Sequence, residues 1–154
     1  MFEYITASSE EEYLQAGILF REYSDWLKID LTFQNFEVEL KELKKMYEPP
    51  KGTIILCKQG KEYIACVAVR PNLDFIAEIK RMYVKPSFQK KGIGQILLNA
   101  SLQFAKEAGY KKIRLDTLNS MTPAMSLYEK NGFYQTEAYY FNPEKSAVYY
   151  EREL

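Results

Sequence analysis

The chain has 154 residues, with 21 basic and 21 acidic side chains and no histidine. This length predicts one domain, and zero net charge speaks against a dedicated nucleic-acid binder, which carries a basic excess. Without histidine there is no Ser-His-Asp or Cys-His nucleophilic site and no His-ligated metal, and two cysteines are too few for a four-ligand zinc site, so no metal is expected.

Phe2–Thr6 reads as a short strand. Ser9-Glu10-Glu11-Glu12 has the form of a capping box and opens a helix to about Lys28, with Tyr13, Leu14, Ile18 and Leu19 as an apolar stripe. A second helix is expected over Phe33–Met46. Glu48-Pro49-Pro50-Lys51-Gly52 breaks the chain ahead of a strand-rich middle. Thr53–Lys58 and Lys61–Arg70 read as a hairpin around Gln59-Gly60. In that register Cys57 faces Glu62, and Cys66 lies about four residues away, roughly 13 Å along the strand. A disulfide needs Cα atoms within about 7 Å, so two free thiols are expected, as in a reducing compartment.

Phe75–Lys85 reads as a third strand ending at Pro86. A helix follows Gly92-Ile93-Gly94, with Ile96, Leu97, Ala100, Phe104 and Ala108 at helical spacing and Gly109 at its C′ position. Lys112–Leu118 alternates as a strand. Thr122-Pro123 reads as an N-cap and first residue of a short helix to Lys130. Phe133–Phe141 and Ala147–Arg152 close the chain as strands. The order β-αα-βββ-α-β-α-ββ predicts an α+β fold: a mixed, mostly antiparallel sheet of about seven strands with helices on both faces. No basic leader and no apolar run of about 18 residues occurs, so a soluble cytoplasmic protein without a membrane partner is the expectation.

Gln89-Lys90-Lys91-Gly92-Ile93-Gly94 sits between a strand and a helix. Glycines permit close backbone approach, free N–H groups at a helix start attract anions, and two lysines add charge. The stretch suits a pyrophosphate cradle; it equally describes a loop with two solvated lysines. It is not a P-loop, since G-x-x-x-x-G-K-[ST] is absent. A dinucleotide-binding Rossmann turn is the rival, with Asp116 about twenty residues on. Against it stand Leu97 at the third glycine position, seven residues between Val84 and Gly92, and antiparallel hairpins ahead of it.

Two motifs together resemble the GNAT superfamily of acetyl-CoA-dependent N-acetyltransferases. The first is Met82-Tyr83-Val84-Lys85-Pro86 followed by Gln89-Lys90-Lys91-Gly92-Ile93-Gly94. The second is Ala124-Met125-Ser126-Leu127-Tyr128-Glu129-Lys130-Asn131-Gly132-Phe133. The resemblance extends in element order along nearly the whole chain. It implies acetyl-CoA as cofactor, an amine as acceptor and direct attack in a ternary complex. The acceptor implied first is a small molecule, with a protein N-terminus or lysine as the alternative. A non-catalytic CoA-binding module is the rival from another class. Whether the chain forms a homodimer is left open.

The resemblance also assigns roles. Met82, Tyr83 and Val84 would meet the pantetheine arm, and a backbone amide there would polarise the acetyl carbonyl. Gln89 and the N–H groups of Lys90, Lys91, Gly92, Ile93, Gly94 and Gln95 would hold the pyrophosphate. Tyr128 would protonate the leaving thiolate, although it shares a helical face with Ala124 and Leu127 and so also reads as a core tyrosine. Glu78, eleven residues before Gln89, would be the general base. An acidic residue in an apolar strand is costly to bury unless used or paired, and Lys80 or Arg81 would be its ion-pair partner in the other reading. The family's asparagine seven residues before the tyrosine is Met121 here, which leaves Asn119 as its substitute. Asp30, Phe33, Gln34, Tyr139, Tyr140 and Asn142 are candidates for an aromatic, mildly acidic acceptor groove suited to a cationic amine, or for core and turn positions.

Overall fold

A computed structural model describes all residues, Met1–Leu154. The capping box forms as its spacing demands: Glu12 N–H donates to Ser9 Oγ at 3.1 Å, and Ser9 N–H donates to Glu12 Oε1 at 2.9 Å. Strand β1 (Phe2–Thr6) thus leads into helix α1 (Glu10–Leu27). The helix expected over Phe33–Met46 is broken into a 3-10 turn (Leu31–Gln34), α2 (Phe36–Lys41) and α3 (Leu43–Tyr47). The breaks are local: Asn35 is left-handed at φ 58°, and Glu42 leaves helical geometry at φ −125°.

Strands β2 (Thr53–Gln59), β3 (Glu62–Leu73) and β4 (Ile76–Val84) form a meander. Helix α4 (Ile93–Glu107), β5 (Lys112–Leu118), α5 (Thr122–Lys130), β6 (Tyr134–Thr136) and β7 (Ala147–Glu153) follow. All seven strands form one sheet in the order β1-β2-β3-β4-β5-β7-β6. Only β4 and β5 pair in parallel, because α4 crosses between them. Helices α4 and α5 cover one face through Leu97, Leu98, Leu102, Ala105 and Tyr128, packed on Val67, Ile79, Ile113 and Leu115. Helices α1 to α3 cover the other through Ala16, Leu19, Phe20, Leu43 and Tyr47, packed on Ile54, Leu56 and Ala68. The mixed α+β sheet with helices on both faces is as the element order predicts.

Three local expectations need correction. The hairpin turns at Gly60-Lys61, so Gln59 pairs with Glu62 and Lys58 with Tyr63; a bulge then sets Cys57 opposite Ala65 and Leu56 opposite Cys66. The cysteines are therefore close neighbours. They remain free because they point to opposite faces, Cys57 toward α4 and Cys66 toward α1. Met121 rather than Thr122 is the N-cap of α5, and it makes no side-chain cap bond. The run Phe133–Phe141 is a strand only over Tyr134–Thr136, and a bend follows at Tyr139 and Tyr140.

Candidate active site

The site begins where two strands part. Strand β4 pairs with β5 only at Ile76↔Lys112, Ala77↔Ile113 and Glu78↔Arg114. Beyond Glu78 it stays paired with β3 but leaves β5, so its β5-facing backbone groups have no strand partner. Within this free stretch Arg81 takes φ 57°, and Val67 of β3 stands opposite both Arg81 and Met82. The bulge inverts the alternation. Lys80 and Arg81 both face α1 to α3, while Met82 and Val84 pack toward α4 and α5. A cavity of about 530 Å³ runs through the opening and is lined from both faces of the sheet.

On the α4 face the wall is Met82, Val84, Gln89, Lys90, Gly92, Gly94 and Tyr128, with Leu127 and Ala124 of α5. Lys90 and Gly92 adopt φ 63° and 83°. Gln89 Nε2 donates to the Val84 carbonyl at 3.0 Å and ties the loop to the strand end. The bond from Ile96 N–H to the Gly92 carbonyl opens α4, and no side chain caps its start. Ile93, Gly94 and Gln95, whose N–H groups precede that ladder, line the cavity, and such groups at a helix start are anion donors. A Cβ at Gly92 would meet nothing within 4 Å, so the space before the loop is open. These features fit a bound pyrophosphate. Lys91 and Asn119 do not line the cavity; Asn119 N–H donates to the Ser146 carbonyl at 2.8 Å.

Tyr128 reaches the opening from α5. It is 6% exposed, packs on Phe133 and Tyr150, and its hydroxyl has only Met82 Sδ in reach, at 3.8 Å. Burial pushes its phenol up, and Tyr23 and Asp116 across the sheet add to that. It stays protonated and lacks a strong acceptor of its own.

On the α1 face the wall is mainly aromatic: Tyr23, Trp26 and Phe33, with Tyr83 between Tyr23 and Trp26, and Leu31 beside them. Its polar part is built on Gln34. Gln34 Oε1 accepts from Arg81 Nη1 at 2.8 Å and Lys80 Nζ at 3.2 Å, and its Nε2 donates to Tyr140 Oη at 3.1 Å. Arg81 also donates to both Glu39 oxygens, at 2.8 and 3.0 Å. Asp116 of β5 completes the wall. The groove is aromatic as expected, and its charges are mixed: Lys80 and Arg81 from the bulge are set against two lining carboxylates, Asp116 and Glu144.

Among the expected acceptor residues, Phe33, Gln34 and Asn142 line this cavity. Asp30 does not. It caps the 3-10 turn by accepting from Thr32 N–H at 2.9 Å and lies in a separate shallow depression. Tyr139 and Tyr140 stand behind the wall. Glu78 also lies behind it, 1% exposed, with Oε1 held by Arg70 Nε at 3.0 Å and Oε2 by Tyr139 Oη at 2.6 Å. Its ion pair is with Arg70, not with Lys80 or Arg81. A general base must reach the proton it takes directly or through one water, and a carboxylate held in this way is not presented to the cavity. Asp116 is. Sequence reading missed Lys80, Arg81 and Asp116 as site residues. The one signal was two adjacent cations interrupting the alternation of β4.

Residues 19–133 match the profile described as the Acetyltransferase (GNAT) family. An uncharacterized N-acetyltransferase of Schizosaccharomyces pombe is 36% identical over 139 residues, covering 89% of this chain and 85% of that protein. A GNAT-family acetyltransferase structure from Staphylococcus aureus superposes with a TM-score of 0.82 at 18% identity, covering 99% of each chain. The PaiA N-acetyltransferase of Thermoplasma acidophilum, solved in complex with coenzyme A, gives 0.77 at 20% identity over 100% of this chain and 99% of that one. The profile match spans most of the chain, and the splayed strands with their glycine loop agree with it: the protein is a member of the GNAT acetyltransferase family.

Proposed function

We propose that this enzyme moves an acetyl group from acetyl-CoA to a small-molecule amine, with both bound at once. The observation that carries the reading is the cavity through the β4–β5 opening. It has an anion-binding loop on one face and an aromatic pocket on the other. Two reactants entering from opposite faces would meet at Met82 and Tyr128.

Acetyl-CoA supplies the acetyl group as a thioester, whose carbonyl carbon gains the amine nitrogen as its bond to sulfur breaks. The loop from Gln89 to Gln95 holds the pyrophosphate by backbone N–H groups. The free backbone of Met82 to Val84 holds the pantetheine arm, and one of its amides polarises the carbonyl. Asp116 takes the first proton from the ammonium, leaving a nucleophilic neutral amine. Tyr128 donates to the sulfur as the thiolate forms. The second proton is lost from nitrogen as the amide forms, and it balances the one that sulfur gains. Holding both reactants in line supplies much of the acceleration.

A panel of small amines, followed by release of free thiol, tests this. Thiol release that depends on a small amine is expected. Binding of CoA without release for any amine, peptide N-termini and lysine peptides included, would leave a CoA-binding module instead. Release with peptides alone would move the acceptor to protein.

A further inference from the structure

Lys80 is the under-bonded charge of the cavity. Its side chain is 4% exposed, and its one hydrogen bond goes to a neutral amide oxygen, Gln34 Oε1. Its ion pair with Asp116 Oδ1 spans 3.6 Å, too long for a hydrogen bond. Its neighbour Arg81 differs, being held by both oxygens of Glu39. An ammonium has three donors, and only one of these three is hydrogen-bonded. Asp116 mirrors this state. Its Oδ2 accepts from Tyr140 Oη at 2.8 Å, and its Oδ1 accepts no hydrogen bond.

The parting of the strands places the two groups. Lys80 and Asp116 each lie two residues beyond the last β4–β5 pair, Glu78↔Arg114, one on each strand. The cavity thus presents, side by side and joined only by a long ion pair, an ammonium with donors to spare and a carboxylate oxygen that accepts no hydrogen bond. The rings of Tyr23, Trp26 and Phe33 lie on the same face. The complement of such a pair is a molecule with a carboxylate and an ammonium on neighbouring atoms, and the complement of the rings is an apolar substituent.

We infer that the acceptor is a free α-amino acid with an apolar or aromatic side chain, its carboxylate on Lys80 and its amine on Asp116. The inference rests on the acetyl-transfer reading for its chemistry and goes beyond it in naming the acceptor. The carboxylate completes the Lys80 donors. The amine is held by the group that takes its proton, and the side chain lies against the aromatic wall.

Matched pairs test it: L-phenylalanine against 2-phenylethylamine, and L-leucine against 3-methylbutylamine. Two quantities are measured, kcat/KM from thiol release and Kd by calorimetry on the CoA-loaded protein. The amino acid should be favoured in both by at least about tenfold, the scale of one charge-assisted hydrogen bond. Lys80→Met should bring that ratio to about one, and Lys80→Arg should keep most of it. The wild-type comparison does not depend on either variant folding. Equal or better binding and turnover of the plain amines by the wild type would overturn the inference and leave acetyl transfer standing. A tenfold binding preference for the amino acid without thiol release would do the reverse.

Discussion

Tyr139 and Tyr140 are consecutive, yet they donate to carboxylates on two different strands: Tyr139 to Glu78 of β4 at 2.6 Å, and Tyr140 to Asp116 of β5 at 2.8 Å. In a strand, successive side chains would point to opposite faces. The bend after β6 turns both to one side and across the point where β4 and β5 part. The rings pack on each other and on Tyr149. Arg114 stacks on Tyr139 with its guanidinium 4.6 Å from the ring centre. From behind the cavity wall, the pair acts as a clasp between β4 and β5 where the strands part.

The clasp predicts unequal costs. Tyr139→Phe leaves Glu78 Oε2 without a donor in a site water does not reach, which costs about 1–3 kcal/mol. Tyr140→Phe strips Asp116, but that side chain is 15% exposed and water can replace the phenol. Urea unfolding should show the larger loss for Tyr139→Phe. Equal losses would mean that the packing of the rings, not the hydrogen bonds, holds the strand junction.

Gly92 stands at the start of α4 with φ 83° and open space where a Cβ would go. Gly92→Ala meets no clash and costs only the left-handed strain, about 1 kcal/mol. Gly92→Asp adds a carboxylate where the pyrophosphate would sit. CoA affinity measured by calorimetry should fall by less than about tenfold for alanine and by more than about a hundredfold for aspartate, since like charges in a shared site cost several kcal/mol. Similar affinities for the two variants would remove the cradle from this loop.

Tyr128→Phe keeps the ring contacts with Phe133 and Tyr150 and deletes a hydroxyl whose only protein partner is a thioether. Its loss costs the fold little. As donor to a forming thiolate it is worth about 10²–10⁴ in kcat. The expected pattern is an unchanged Tm and unchanged KM for acetyl-CoA with kcat reduced on that scale. Normal kcat with a lowered Tm would make this tyrosine scaffold.

Much of this architecture was legible because it is written in local patterns. The Ser9–Glu12 capping box and the alternation of Lys112–Leu118 each encode their element within a few residues. The two motifs around Gly92 and Tyr128 locate the wall of the cavity on the α4 side. The polar part of the wall on the α1 side was not legible, because it depends on a bulge. With φ 57°, Arg81 falls in a region that alternation cannot anticipate, and the inversion there moves Arg81 beside Lys80. The partner of Glu78 was misjudged for a related reason. Lys80 shares its face but is drawn toward Gln34, whereas Arg70 is set directly opposite Glu78 by the β3–β4 register.

Glu39 supplies the acid sensitivity of the fold. Burial alone would raise its pKa, but two hydrogen bonds from Arg81, the guanidinium charge and the Tyr47 hydroxyl outweigh burial and hold the carboxyl below its ordinary value. The folded state therefore binds this proton more weakly than the unfolded chain. The stabilisation is complete above the unfolded value near ~4.3 and is lost as pH falls through the lower folded value. Glu39→Gln should cost about 3 kcal/mol near neutral pH by stranding Arg81. Urea unfolding measured from pH 7 downward should show the two proteins converging as pH drops below about 4. A gap independent of pH would mean that the guanidinium is held equally well by a neutral amide.

Glu78→Gln separates the two roles a buried strand carboxylate can have. Glutamine preserves the shape and can still accept from Tyr139, but it no longer carries the charge that Arg70 faces at 3.0 Å. The Arg70 side chain is 25% exposed, so water screens part of the loss and the cost falls below that of a fully buried pair, at about 1–2 kcal/mol. For a chain of this size that lowers Tm by about 2–8 °C. If Glu78 only braces the strand junction, the pH dependence of kcat/KM stays as in the wild type, because the proton leaves the amine through Asp116. If Glu78 were the base, Glu78→Gln would move the acid limb of kcat/KM to higher pH, since the amine would have to lose its proton to solvent first. Asp116→Asn should give that second pattern. Measuring Tm and the pH profile on both variants assigns the proton to one strand or the other, and a shifted profile in Glu78→Gln with none in Asp116→Asn would return it to β4.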